Sequence, residues 1–181
     1  AAKAEYALKA ANWAIVAGDS AKAQTLVDQL LEMLLDMDRL LESHPILRIQ
    51  RWMDMAAENA TSPEEVAAFQ KEVKRLVSTW SGPSLKDYSA RVWSGLVRDF
   101  YVPRLEYYYS KAIKGELADM VTFENQYHYG TAYGTADDVC PAGETPVSVI
   151  EPFENPLAAA AELVQKYSAV DYNDKAFNPY A

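Results

Sequence analysis

Apolar residues recur at steps of three and four between Leu26 and Leu41, and this spacing restricts the fold more than any other feature of the chain. The repeat consists of Leu26, Leu30, Leu34, Met37 and Leu41, and it is widened by Val27, Leu31 and Leu35. An α-helix has about 3.6 residues per turn, so these side chains share one broad face. Such a face must pack against neighbouring elements, which predicts a helical bundle.

Capping residues and helix breakers separate this helix from its neighbours. Gly18 ends an Ala-rich first helix. Asp19 or Ser20 can cap the second helix, because their side-chain oxygens accept hydrogen bonds from the free amides of the first turn. His44-Pro45 ends the second helix, since proline disfavours helical geometry in the residue before it. Short connections between successive helices favour antiparallel packing.

Three further helices are predicted in the helical core of residues 1–115. The third runs from about Pro45 to Asn59, and the fourth begins at the capping box Ser62-Pro63-Glu64-Glu65. The fifth begins near Ser84. Pro103 must either kink it or end one helix and begin another, because proline has no backbone N–H to donate.

The pattern changes after Gly115, where periodicity is lost and prolines become frequent. We expect mostly loop over residues 116–155 and a last helix over 156–168, with Leu157, Leu163 and Val164 facing inward. The predicted fold is therefore all-α: an antiparallel helical bundle with a long irregular segment before the last helix, in a single domain of residues 1–181.

Charge and composition exclude several classes of function. The net charge is −9, and lysines and arginines are scattered singly among acidic residues, so no basic stripe suited to nucleic acid is present. No apolar run approaches the ~20 residues that a membrane-spanning helix requires. Cys140 is the single cysteine; it excludes an internal disulfide and is interpreted as an unreactive loop residue.

Standard catalytic and metal-binding motifs are absent from the sequence, so we predict no cofactor and no metal site. His44 precedes a proline at a helix end and is interpreted as a capping or surface group. His128 lies in a predicted loop and is a weaker candidate for contact with a ligand. The acidic pairs Asp36/Asp38 and Glu64/Glu65 are expected to be solvated on exposed helix faces.

The stretch from Trp80 to Arg104 carries the strongest functional signal. Trp80 ends one helix and Tyr88 lies in the first turns of the next, at positions that can line a cleft. Flat aromatic rings suit the apolar face of a sugar, and aspartate and arginine can bond its hydroxyls. Trp93, Leu96 and Phe100 are better interpreted as core residues at helical spacing. The residues alone leave both sugar contact and a purely structural role open for Trp80.

This stretch resembles the carboxy-terminal domain of glycoside hydrolase family 89, the α-N-acetylglucosaminidases. In that family a Trp-Gly turn leads to Leu/Ile-x-Asp-Tyr, then to Gly-Leu, then to Asp/Asn-Tyr/Phe-Tyr-x-Pro-Arg. The residues at matching places are Trp80, Leu85, Asp87, Tyr88, Gly95, Leu96, Asp99, Phe100, Tyr101, Pro103 and Arg104. Two departures are Leu105, where family members often carry Trp, and Ser81, which stands between Trp80 and Gly82.

The resemblance implies a role in a retaining exo-glycosidase that hydrolyses terminal α-linked N-acetylglucosamine. Its two catalytic glutamates would lie in a preceding barrel domain outside residues 1–181, so we name no catalytic residue in this chain. The implied partners are that barrel, on which the helical domain packs, and the terminal sugar, whose pocket Trp80, Leu85 and Tyr88 would complete. The fragment alone is then expected to be inactive. The implied compartment is secreted, periplasmic or lysosomal.

Two other hypotheses remain. The chain could be a helical protein-interaction or scaffold module without a sugar site, binding a partner through Tyr107–Tyr109. It could also be an autonomous carbohydrate-binding domain. The upstream sequence of the parent would separate the first from the enzyme, because a barrel with two acidic residues at strand ends is expected only there.

Overall fold

The computed structural model describes residues 2–80, 87, 90–129, 147–172 and 174–177. These residues form helices and no β-strand, which confirms the predicted all-α class. The seven α-helices are α1 (Ala2–Val16), α2 (Ser20–Glu42), α3 (Ile49–Ala57), α4 (Pro63–Val77), α5 (Val102–Ala112), α6 (Met120–Tyr129) and α7 (Pro156–Ser168). A 3₁₀ turn covers Pro45–Leu47, and a π-helical turn covers Val97–Tyr101. No helix among the described residues is long and apolar enough to cross a membrane.

The predicted caps lie where the sequence placed them. Gly18 closes α1 with a φ of 75°, and the Asp19 carboxylate accepts from the Lys22 amide at 3.0 Å at the start of α2. The Ser62 hydroxyl accepts from the Glu65 amide at 3.3 Å at the start of α4. In return the Glu65 carboxylate accepts from the Thr61 amide and hydroxyl, at 2.7 Å each, which is one residue before the cap.

The first hydrophobic core forms where α1 and α2 pack antiparallel. α1 contributes small residues, all buried, which let the two helix backbones approach closely: Ala4, Ala7, Ala10, Ala11 and Ala14. From α2 the inner half of the predicted stripe is buried, with Leu26, Val27 and Leu30 at most 2% exposed. Tyr109 of α5 enters the same core, and its hydroxyl donates to Asn12 Oδ1 at 2.9 Å.

The second core lies between α3, α6 and the π-helical turn. Leu96 and Phe100 are fully buried in it, which confirms their interpretation as core residues. Trp93 packs at its edge and stacks on Trp52, with ring centroids 5.1 Å apart and planes within 3°. Phe100 and Tyr127 also meet, with centroids 4.6 Å apart.

The predicted third helix is interrupted at Arg48. Residues Pro45–Leu47 form a 3₁₀ turn, and α3 begins only at Ile49. The break occurs because backbone groups here pair with a distant segment: the Ile49 amide donates to Ser94 O at 3.0 Å, and the Ser94 amide donates to Leu47 O at 2.7 Å. The resulting isolated bridge between Arg48 and Ser94 replaces one turn of helix.

The predicted fifth helix begins later than the sequence indicated. Its expected start near Ser84 lies outside the described residues, while residues 90–94 are not helical and helix begins at Leu96. Its first turn is capped from another helix: Asp38 Oδ1 accepts from the Gly95 amide at 2.9 Å and from the Arg98 amide at 3.1 Å. Pro103 lies at the junction of the π-helical turn and α5, so it marks the end of one helical pattern and the start of another.

The segment 116–155, expected to be mostly loop, contains the additional helix α6. Asp119 accepts from the Thr122 amide at 3.0 Å and from its hydroxyl at 2.8 Å, as a capping residue does. Phe123 stacks on Tyr107 of α5 at 5.4 Å between ring centroids. In α7 the bounds agree with the prediction, but Leu157 is 85% and Val164 71% exposed, so their predicted inward orientation is wrong.

Gly95 offers a test of how tightly this second core is built. Its φ is 84°, and a Cβ added to it would lie 2.7 Å from both Ile49 Cγ2 and Val147 Cγ1. We expect Gly95→Ala to lower the free energy of unfolding by roughly 3 kcal/mol or more, through backbone strain and overpacking together. Urea denaturation of the chain measures this change.

Gly115→Ala is the matched control, because Gly115 has a φ of 71° and nothing within 4 Å of its would-be Cβ. Strain alone should cost about 1 kcal/mol there. Equal losses in the two variants would contradict the close packing around Gly95.

Candidate functional site

The end of α4 holds Trp80 in an uncommon backbone conformation. Its φ is 66°, a region that non-glycine residues enter at a cost of about 1–2 kcal/mol. Two hydrogen bonds with Arg75 hold this backbone conformation. The Trp80 amide donates to Arg75 O at 2.8 Å, and Arg75 Nη1 donates to Trp80 O at 3.2 Å. The indole is only partly buried. A large aromatic side chain is thus held on a locked backbone at the surface.

Asp87 is, like Trp80, a non-glycine residue with a positive φ, at 62°. Its amide donates to Thr79 O at 3.2 Å. Four residues further on, the Arg91 amide donates to Val77 O of α4 at 2.9 Å. Asp87 therefore lies directly beside the residue that precedes Trp80. Of the three predicted sugar-contacting residues, Trp80 is described by the structure, whereas Leu85 and Tyr88 lie outside the described residues.

Arg104 of α5 connects two carboxylates near this point. Its Nη1 and Nη2 donate to Asp87 Oδ1 and Oδ2 at 3.2 and 3.0 Å, and Nη2 also lies 2.7 Å from Glu124 Oε1 on α6. Burial acts against the charge of Arg104, but the two carboxylates outweigh it and raise its pKa. The guanidinium carbon also lies 5.5 Å from the centroid of the Phe100 ring.

His128 lies inside the molecule, against the expectation of a loop residue near a ligand. It belongs to α6, is 3% exposed, and its Nε2 is 2.8 Å from the hydroxyl of the buried Ser78. The Ser78 hydroxyl gives its one proton to Lys74 O at 2.5 Å, so neutral His128 donates from Nε2. Burial, assisted by Arg75 and two other cations, lowers the pKa of His128 to about 4.

This serine–histidine pair is structural. A nucleophile needs access to its substrate, and Ser78 is fully buried. Its contact with His128 joins α4 to α6 immediately before Thr79 and Trp80. The pair therefore anchors the end of α4 from which Trp80 projects.

Asp38 is buried, which corrects the expectation that the pair Asp36/Asp38 is solvated. The Asp38 side chain is inaccessible and accepts from the Gly95 and Arg98 amides, from the Ser94 hydroxyl at 3.2 Å and from the Arg98 guanidinium. Burial raises the pKa of Asp38, and Arg98 opposes that rise. Asp36, two residues earlier on α2, bonds Lys166 at 2.8 Å and the Tyr167 hydroxyl at 2.5 Å, and so holds α7.

The remaining candidates behave as surface residues or cannot be placed. Glu64, Glu65 and His44 are exposed, as expected. Cys140 lies outside the described residues. Within the part of the chain that the structure describes, no group of three or more histidine, cysteine, aspartate or glutamate side chains could hold a metal ion.

An apolar groove of about 460 Å³ lies next to Arg104, between α2, α5 and the start of α6. Its lining residues are Leu34, Met37, Ala90, Val92, Val97, Tyr101, Arg104, Leu105, Tyr108 and Met120. Val92 is 52% and Tyr108 42% exposed at its rim. Of the three consecutive tyrosines 107–109, only Tyr108 has an exposed side chain, because Tyr109 is buried and Tyr107 stacks on Phe123.

A family model described as "Alpha-N-acetylglucosaminidase (NAGLU) C-terminal domain" matches residues 1–166 of this chain. No curated protein matches the chain. The family model extends from α1 into α7, so the match covers nearly the whole bundle and not only the stretch from Trp80 to Arg104.

Solved structures of a family 89 glycoside hydrolase from Clostridium perfringens share the fold. A variant in complex with its substrate GlcNAc-alpha-1,4-galactose is 21% identical with a TM-score of 0.72, covering 91% of this chain and 19% of that one. The complex with 2-acetamido-1,2-dideoxynojirmycin is 23% identical with a TM-score of 0.68, and the match covers 91% of this chain and 19% of that one. The complex with PUGNAc is 24% identical with a TM-score of 0.70, and the match covers 95% of this chain and 20% of that one. The chain thus spans about a fifth of the length of these structures.

The buried His128 predicts a specific pH dependence of stability. Its pKa is about 4 in the folded chain and 6.5 when unperturbed, so its contribution is complete above pH 6.5. As the pH falls from 6.5 towards 4, the unfolded chain binds a proton that the folded chain does not, and about 3 kcal/mol is lost. His128→Gln keeps a donor for Ser78 but cannot titrate.

Urea denaturation at about pH 7.5 and about pH 4.5 therefore should show a smaller loss of unfolding free energy in His128→Gln than in the wild type. His44→Gln is the control, because His44 is exposed, and it should follow the wild type. Parallel pH profiles for His128→Gln and the wild type would contradict the burial of a neutral histidine.

Proposed function

Because the chain belongs to the family of α-N-acetylglucosaminidase carboxy-terminal domains, in glycoside hydrolase family 89, we propose that it completes the sugar pocket of such an enzyme. The reaction is the retaining hydrolysis of terminal α-linked N-acetylglucosamine, and the catalytic carboxyl groups belong to a barrel domain of the parent chain. The helical domain packs on that barrel and contributes Trp80, Leu85 and Tyr88 to the pocket. The compartment stays a prediction from the resemblance: secreted, periplasmic or lysosomal.

The observation that carries this proposal is the conformation of Trp80. A non-glycine residue with a positive φ is strained, and such strain persists only where surrounding contacts hold it. Here Arg75 bonds the amide and the carbonyl of Trp80, while its indole remains partly exposed. A flat ring presented on a fixed backbone suits the apolar face of a pyranose.

The acidic residues that pair with Arg98 and Arg104 are unsuited to catalysis in this proposal. A retaining glycosidase needs two carboxyl groups ~5–5.5 Å apart that are free to attack and to transfer a proton. Asp87 and Glu124 both pair with Arg104, and Asp38 pairs with Arg98 in the core. These three carboxylates hold the fold, which supports assigning the chemistry to the barrel.

Exposed apolar side chains support packing on a further domain. Val92 and Tyr108 line the rim of the groove beside Arg104. The solved relatives are about five times longer than this chain, so a large part of such a protein is available to cover this face. The alternative of a protein-interaction module through Tyr107–Tyr109 has less support, because two of its three tyrosines pack within the domain.

We expect the 181-residue chain to fold and yet to leave an aryl α-N-acetylglucosaminide unhydrolysed, because the catalytic carboxyl groups are absent. Circular dichroism and a chromogenic assay measure the two properties on one preparation. Calorimetric titration with N-acetylglucosamine should show little or no binding, since half of the pocket is missing. Turnover by the isolated chain would refute the proposal, and tight sugar binding would favour an autonomous carbohydrate-binding domain.

In the complete enzyme, Trp80→Ala should lower kcat/KM by about 10- to 100-fold, because it removes a contact to the bound sugar. Trp80→Gly should lower it equally while relieving the strain at the positive φ, so it should unfold at a higher temperature than Trp80→Ala. Trp52→Ala is the control, since this partly exposed tryptophan belongs to α3 and stacks on Trp93. Wild-type kinetics in both Trp80 variants would remove Trp80 from the pocket.

A further inference from the structure

Arg104 of α5 joins residues of two other parts of the bundle. Its guanidinium bonds both oxygens of Asp87 and also reaches Glu124 Oε1, so one side chain of α5 joins a residue beside α4 to a residue of α6. The side chain is 19% exposed, and Glu124 is 7% exposed. Its pair with Glu124 is therefore sheltered from water. The Asp87 side chain is 41% exposed, so the specificity of that pair comes from its two parallel hydrogen bonds.

The contact to Asp87 reaches Trp80 through the backbone. Asp87 has a φ of 62°, and its amide donates to the carbonyl of Thr79, the residue before Trp80. Aspartate tolerates this conformation better than most residues, and the paired bonds from Arg104 fix its side chain in one orientation. The chain of contacts from Arg104 through Asp87 and Thr79 therefore ends at the backbone that presents the indole.

We propose that Arg104 is a positioning residue for the sugar pocket, which orients Trp80 through its paired hydrogen bonds to Asp87. The inference rests on the proposed function, because it takes Trp80 as a sugar contact. Arg104 itself touches neither the sugar nor the reacting atoms. Its effect on catalysis arises only through the orientation of Trp80, and that dependence separates it from a residue that stabilises the fold.

A lysine cannot replace Arg104 in this role. The two parallel bonds to a carboxylate need the planar fork of a guanidinium, whereas an ammonium group is a single point charge. Arg104→Lys keeps the positive charge between Asp87 and Glu124 but loses the paired geometry. Asp87→Asn acts on the other partner: asparagine tolerates the positive φ, and its neutral side chain removes the ion pair.

The test measures kcat/KM of the complete enzyme for an aryl α-N-acetylglucosaminide in a double-mutant cycle of Arg104→Lys and Trp80→Ala. We expect Arg104→Lys to lower kcat/KM by about tenfold in the wild-type background and by less than about twofold in the Trp80→Ala background. The second factor is smaller because an indole that is absent cannot be misplaced. Equal factors in the two backgrounds, or no loss in either, would overturn the inference.

Arg98→Lys is the matched control, since Arg98 belongs to the same helical stretch, has a side chain only 12% exposed, and pairs with a different aspartate, Asp38 of α2. We expect it to lower the melting temperature and to leave the coupling with Trp80→Ala at zero. If Arg104→Lys does not fold, a double-mutant cycle of Asp87→Asn and Trp80→Ala replaces it. The inference then requires that Asp87→Asn lower kcat/KM in the wild-type background and lower it less in the Trp80→Ala background.

The proposed function fails by a different outcome, namely a Trp80→Ala variant with wild-type kcat/KM. The positioning role fails if Trp80→Ala is impaired but the loss from Arg104→Lys is independent of it. The two failures can therefore be told apart within one set of four proteins.

Discussion

The buried carboxylate of Asp38 is the interaction on which the arrangement of the helices depends. It lies near the carboxy-terminal end of α2 and accepts from two amides of the stretch that begins at Gly95, while Arg98 neutralises its charge. Arg98 also donates from Nε to the Ser148 hydroxyl at 2.6 Å, so this point fixes the chain before α7 as well. Removing one partner of such a buried pair typically costs about 3–5 kcal/mol, because a charge remains in the core without compensation.

The same helical stretch connects the core to the candidate site. Its first turn, at Gly95, is capped by Asp38, and Arg104 further along it holds Asp87 and Glu124. α6 adds a second anchor through His128, which bonds Ser78 just before Trp80. The backbone at Trp80 is thus held from α4 through Arg75, from α5 through Arg104 and Asp87, and from α6 through His128.

Local signals in the sequence were sufficient for the helix ends and for the family. Asp19 and Ser62 cap helices as predicted, since a side-chain oxygen meets free amides only two or three residues away. The stretch from Trp80 to Arg104 identified the family, which the match over residues 1–166 confirms. The additional helix α6 was missed, although the sequence carried a signal for it. Asp119 is a capping residue, and the apolar residues Met120, Phe123 and Tyr127 follow it at steps of three and four.

By itself, then, the sequence determined the all-α class, the helix caps and the membership of the family, because each depends on residues close together in the chain. It could not show that Asp38 is buried while Asp36 lies on the surface, since both interrupt the same apolar stripe. It could not place His128 against Ser78 or join Arg104 to Asp87 and Glu124. Those pairings link residues 17 to 50 positions apart, and only the packing of α4, α5 and α6 brings them within hydrogen-bonding distance.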